Sequence, residues 1–138
     1  MIHAVIDTNV LVSAFITKNP DSPTAKVWSA LLNYDIIPMY SEEIIEEYTD
    51  VLHRKKFNIP EQLIKDALNH ILVNGVRGER VLSDDFFPDP KDVVFYEVAL
   101  SKDDAYLVTG NKKHFPKKPI VVTPAEMLEI LKAENKLK

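Results

Sequence analysis

Residues 2–16, IHAVIDTNVLVSAFI, decide the fold. Ile2–Ile6 reads as a short strand, and Ala4–Ile6 is apolar throughout, as a strand buried on both faces of a parallel sheet should be. From Thr8 the pattern TNVLVSAFI fits a helix. Asp7 stands at the joint, just past the strand's carboxyl end. In open α/β sheets that end is where ligands bind, at the point where the winding reverses. The stretch AYLVTGNKKHF, residues 105–115, repeats the arrangement: an apolar strand, then Thr109, Gly110 and Asn111.

Working outward, DSPTAKVWSALLNY (21–34) predicts a helix with Ser22 as N-cap and Pro23 in its first position. DIIPMY (35–40) predicts a strand. SEEIIEEYTDVLHRK (41–55) predicts a strongly amphipathic helix opening at Ser41, and PEQLIKDALNHILVNG (60–75) another, stopped by Gly75. ERVLS (79–83) reads as a strand, DPKDVVFYEVALSK (89–102) as a helix, and IVV (120–122) as a last strand. TPAEMLEILKAENK (123–136) closes the chain with Thr123 and Glu126 spaced as a capping box. Strands alternating with helices argue for a parallel sheet covered on both faces. With no repeat and no linker, residues 1–138 are expected to form a single domain.

The composition of the 138 residues, 46% hydrophobic and 28% charged, is that of a soluble globular protein. There are no cysteines, which excludes disulfides and thiolate metal sites. Any metal must be held by carboxylates, amides or histidines, which favours hard ions such as Mg²⁺ or Mn²⁺. The N-terminal run lacks a basic leader and is interrupted by Asp7 and Asn9, so neither an export signal nor a membrane span is expected, and the default location is cytoplasmic. A net charge of −4 argues against a generally basic nucleic-acid-binding surface.

Three carboxylates resist an ordinary explanation. Asp7 has the place of a helix cap, but Thr8 or Asn9 would serve there equally well. Glu47 flanks the apolar stripe of Ile44, Ile45, Tyr48, Val51 and Leu52, whereas Glu42 and Glu46 point to solvent. A carboxylate at the margin of a buried face must snorkel outward or be neutralised. Asp89 reads as an N-cap, while Asp92, three residues before Phe95, shares the inward stripe. Three elements thus offer Asp7, Glu47 and Asp92 to one rim, with no lysine or arginine obviously placed among them. Converging acids repel one another unless a cation binds, and a divalent metal is the simplest neutraliser.

The blocks VIDTNVLVSAF, SEEIIEEYTDVLHRKKF, DPKDVVFYEVAL and AYLVTGNKKHFP, in this order, resemble the PIN-domain ribonucleases, and among them the toxin branch of VapC-like proteins. The resemblance runs from Ile2 to about Leu131. It implies a three-layer α/β/α sandwich around a mainly parallel five-stranded sheet. It also implies a Mg²⁺- or Mn²⁺-dependent endoribonuclease whose products carry 5′-phosphate and 3′-hydroxyl ends. The family's first three acids fall on Asp7, Glu47 and Asp92, and the usual fourth falls on Asn111, an amide. Asn111 is therefore either a metal-site residue without charge or a turn residue after Gly110. The resemblance further implies an RNA substrate, a cognate antitoxin as partner, and a homodimer.

Around these four, Thr8, Asn9 and Thr109 are expected to support the ligands, and Asp104 is a candidate for supplying the missing charge. Arg54 and Lys55, with Lys112, Lys113 and His114, are expected to contact RNA phosphates. The other three histidines are scattered over different elements and make no metal triad. A haloacid-dehalogenase-like phosphatase wants a second acid two residues after the first, where this chain has Asn9. The stronger alternative is a PIN fold weakened at Asn111 that binds RNA or protein without cutting.

Overall fold

Apolar strands with no charge of their own are stable only inside a sheet whose faces are both covered. The computed structural model, which describes residues 2–134, shows this arrangement. β1 (Ile2–Ile6) is followed by α1 (Thr8–Ile16) and α2 (Pro23–Leu32), then β2 (Ile36–Tyr40), α3 (Glu42–Leu52) and α4 (Glu61–Asn74). β3 (Val76–Arg77), α5 (Val93–Ala99), β4 (Tyr106–Val108), β5 (Val121–Val122) and α6 (Pro124–Ala133) complete the α/β sandwich. The five strands are all parallel, in the order β3-β2-β1-β4-β5. The chain winds outward from β1 to β3 on one side and from β4 to β5 on the other. The reversal therefore falls between β1 and β4, and the crevice belongs at their carboxyl ends.

Local chemistry sets most boundaries. The Ser22 side chain accepts from the Ala25 amide with Pro23 behind it, and Ser41 accepts from the Ile44 amide. Thr123 and Glu126 form the expected capping box. The final helix, expected over 123–136, ends at Ala133 with Glu134 as its C-cap, and residues 135–136 lie outside the described residues. Gly75 ends α4 where a Cβ would stand 2.3 Å from the Ile71 carbonyl oxygen and 2.7 Å from that of Pro38. No described helix is long and apolar enough to cross a membrane.

The core runs through the sheet and both helical layers. Ala4, Val5, Leu107 and Val108 are fully buried, as the apolar runs predict. Tyr48 of α3 is buried as well, and its hydroxyl donates to the Ile6 carbonyl, anchoring α3 to the end of β1 beside Asp7. The Asp7 amide donates to the Val108 carbonyl at 2.9 Å, joining the ends of β1 and β4.

Two sequence expectations are corrected. Residues 79–83 are not a strand. Pairing with β2 stops at Arg77, and the chain turns onto α5 instead. The cause is Glu97, a buried carboxylate of α5. It accepts from Arg80 Nε at 2.8 Å and from the Ser83 amide at 2.8 Å, while its own carbonyl accepts from the Val81 amide at 3.0 Å. Gly78 permits this crossing, since a Cβ would come within 2.9 Å of Val98 and Ser101 side-chain atoms. The helix expected over 89–102 is also shorter. It begins as a 3₁₀ turn, Pro90–Asp92, and its α-helical part ends at Ala99.

Candidate active site

Asp7 follows the central strand directly, so its side chain emerges where the sheet ends. It occupies the N-cap position of α1 but makes no capping hydrogen bond, and it is only 7% exposed. Its Oδ2 instead accepts from the Thr109 hydroxyl at 2.8 Å, across the β1–β4 junction. Thr109 Oγ in turn accepts from the Asn111 amide at 3.0 Å, which directs the hydroxyl proton toward Asp7. Asn9 Oδ1 accepts from the Gly110 amide at 3.3 Å, closing the same seam. Burial pushes the Asp7 carboxyl up from 3.8 to about 6, with the Asp92 charge adding to the rise and the Thr109 hydrogen bond opposing it.

Asp92 ends the 3₁₀ turn that leads into α5. Burial raises its pKa, as do the charges of Asp89 and Glu47, while His114 opposes them. His114 Nδ1 lies 3.5 Å from Asp92 Oδ2, and its Nε2 lies 3.0 Å from Asn111 Nδ2. With the amide so oriented, Asn111 donates to Nε2, which leaves the imidazole proton on the nitrogen facing Asp92. Asp89 is the plain cap expected of it, accepting from the Lys91 amide.

Among the described residues, two buried side-chain polar atoms lack any hydrogen-bond partner: Asp92 Oδ2 and Thr8 Oγ. Both belong to this site. At Asp92 Oδ2 the protein offers only the His114 ring nitrogen, 3.5 Å away and beyond good hydrogen-bond length, so the oxygen has room for a further partner such as a cation. No three acidic or histidine side chains among the described residues stand close enough together to enclose an ion. Magnesium does not need such a cage. It keeps several waters and is commonly held by one or two carboxylates together with substrate phosphates. Asp7 and Asp92, whose charge is felt at Asp7, could serve as a donor pair of that kind.

Glu47 is half-buried and lines one cleft with Asp7 and Arg54, and a second with Arg80 and Lys91. Its charge is felt at Asp92. The expectation that no basic side chain stands among the acids is therefore corrected. Arg54 lies two residues past the end of α3, in extended backbone, and lines the Asp7 cleft. His114 faces Asp92.

Other expected residues fall less simply. Asn111 is not a left-handed turn residue, since its φ is −140° and Gly110 has no positive φ either. Asp104 precedes β4, so it stands at the opposite end of that strand, about 10 Å of backbone or more from Thr109. It is exposed and adopts φ 70°, the left-handed geometry of a connection, and it supplies no charge to the site. Lys112 is held 3.1 Å from Glu126, so much of its charge is already answered. Lys113 and Lys55 are exposed. Sequence reasoning did not single out Glu97, Val12, Ile16 or Phe57. The first shapes the loop leading to Asp92, and the other three line the Asp7 cleft.

A family model described as "PIN domain" matches residues 3–113, a stretch that contains Asp7, Glu47, Asp92 and Asn111. No curated protein matches the chain.

Proposed function

Since the chain belongs to the PIN-domain family, whose members are generally nucleases that use divalent metals, we propose that it is a Mg²⁺- or Mn²⁺-dependent endoribonuclease and the toxin of a toxin–antitoxin pair. The observation that carries the reading is a buried Asp7 that feels the charge of Asp92, one of whose oxygens makes no hydrogen bond within the protein. Asp7 and Asp92 would hold the ion, with Glu47 and Asn111 reaching it directly or through water. A divalent ion held there would supply a water of lowered pKa and neutralise charge on the scissile phosphate.

The chain's own residues prepare that chemistry. Thr109 keeps Asp7 Oδ2 aligned and favours its ionised form. His114, braced by Asn111, limits how far the Asp92 charge is left uncompensated. Arg54, which lines the cleft of Asp7 and Glu47, and the exposed Lys113 next to His114 offer cationic contacts to the RNA backbone. A cognate antitoxin would block the site by presenting a cation, such as an arginine, to Asp7 or Asp92.

End-group analysis tests the reaction type. Hydrolysis by water leaves 5′-phosphate and 3′-hydroxyl termini and stops in EDTA; cyclic-phosphate ends that persist in EDTA would sink the proposal. A second expectation concerns Thr109→Val, which removes a donor without changing side-chain shape. Asp7 should then ionise at higher pH, so Mn²⁺ affinity measured by calorimetry should fall more at pH 6 than at pH 8. An equal loss at both values would mean that Thr109 does not tune Asp7.

A further inference from the structure

The cleft beside the acids is built for more than a metal. It has a volume of about 350 Å³ and lies between α1 and α3. Asn9, Val12 and Ile16 line it from α1, and Val51, Arg54 and Phe57 face them from the end of α3 and the turn after it. Asn9 and Ile16 are seven residues apart, so that wall runs about 10 Å along the helix. Its polar end holds Asp7 and Glu47, and Val12, Ile16, Val51 and Phe57 give it apolar surface among the polar Asn9, Ser13 and Arg54. Ile16 is 48% exposed, an unusual place for a large aliphatic side chain on the rim of an acidic site. The Asn9 amide oxygen is engaged by Gly110, which leaves its NH₂ group for a ligand. Arg54 reaches only a weak contact with Asp50, 3.4 Å on the exposed surface.

We infer that this cleft receives one nucleobase of a single-stranded RNA, next to the scissile phosphate that a cation would hold beside Asp7, with Arg54 on a neighbouring phosphate. The inference rests on the nuclease reading and deepens it. A flat base suits the apolar side chains of Val12, Ile16 and Val51 and the Phe57 ring; the Asn9 amide is a donor for a base edge, and Arg54 matches the charge of the backbone. Apolar and aromatic walls that accept any base face, combined with a cation that follows the phosphates, are the usual means of holding single strands. The base seated here fixes which bond lies over Asp7.

The test places single abasic residues along a single-stranded RNA and maps cleavage in Mn²⁺. An abasic residue should suppress cutting at one bond only, at a fixed offset, by about fivefold to a hundredfold, the range that one stacked base supplies. Phe57→Ala should cut that bond poorly in intact RNA and lose the discrimination. Ile16→Ser, at a half-exposed helix end, should weaken the discrimination without touching the core. Normal cleavage across every abasic position would overturn the base site and leave the nuclease standing. No cleavage of any RNA by the unmodified protein would overturn both.

Discussion

Asp7→Asn is expected to abolish RNA cleavage, by at least roughly 100-fold, and to make the metal-free protein more stable at neutral pH. The two effects have one cause. Asp7 is almost fully buried, and its carboxyl is pushed up from 3.8 to about 6. Between those values the folded state still holds a proton that the unfolded state has released. Stability therefore falls as pH rises through that window and stays lower above it. At about 1.4 kcal/mol per unit, the cost approaches 3 kcal/mol above pH 6. Asparagine is isosteric, still accepts from Thr109, and carries no charge to desolvate. It should recover on the order of 2 kcal/mol at pH 8 and nothing below pH 4. Urea melts in EDTA at the two pH values measure this. A variant that is inactive and also less stable at pH 8 would mark Asp7 as a structural aspartate.

The second large effect lies away from the proposed chemistry. Arg80→Ala should destabilise the protein by about 2–4 kcal/mol, because it strands the buried Glu97 carboxylate. The Ser83 amide would remain as a donor, but only to the other oxygen. Replacing the pair together, Arg80→Met with Glu97→Leu, should recover much of the loss, since a packed apolar pair has no desolvation to offset. Urea midpoints of the single and double variants decide it. A loss under about 1 kcal/mol for Arg80→Ala would show that the bridge is not the clasp holding residues 79–83 on α5.

The parts legible in the sequence were those governed by short-range chemistry. The apolar runs of β1 and β4, the caps at Ser22, Ser41, Asp89 and Thr123, and the stop at Gly75 are local signals that packing did not override. The strand expected at 79–83 failed because its local preference lost to a carboxylate fourteen residues or more away. β3 is only Val76–Arg77, exposed and too short to carry any alternation. The acids were visible because each sat oddly against its own helix or strand. Arg54 and His114 were legible as RNA contacts but not as neighbours of the acids, since they reach the site only once α3 and the loop after β4 are in place. Asp104 looked near the site in sequence, but the direction of β4 carries it to the far end of the strand.

The most direct test of the central claim is cleavage of single-stranded RNA by the purified protein in Mn²⁺, then in EDTA, then with Mn²⁺ restored, beside Asp7→Asn prepared identically. Cleavage that stops, resumes, and is missing from the variant is the predicted result. Cleavage that continues in EDTA, or that Asp7→Asn retains, would contradict the assignment of Asp7 and Asp92 as a metal-holding pair.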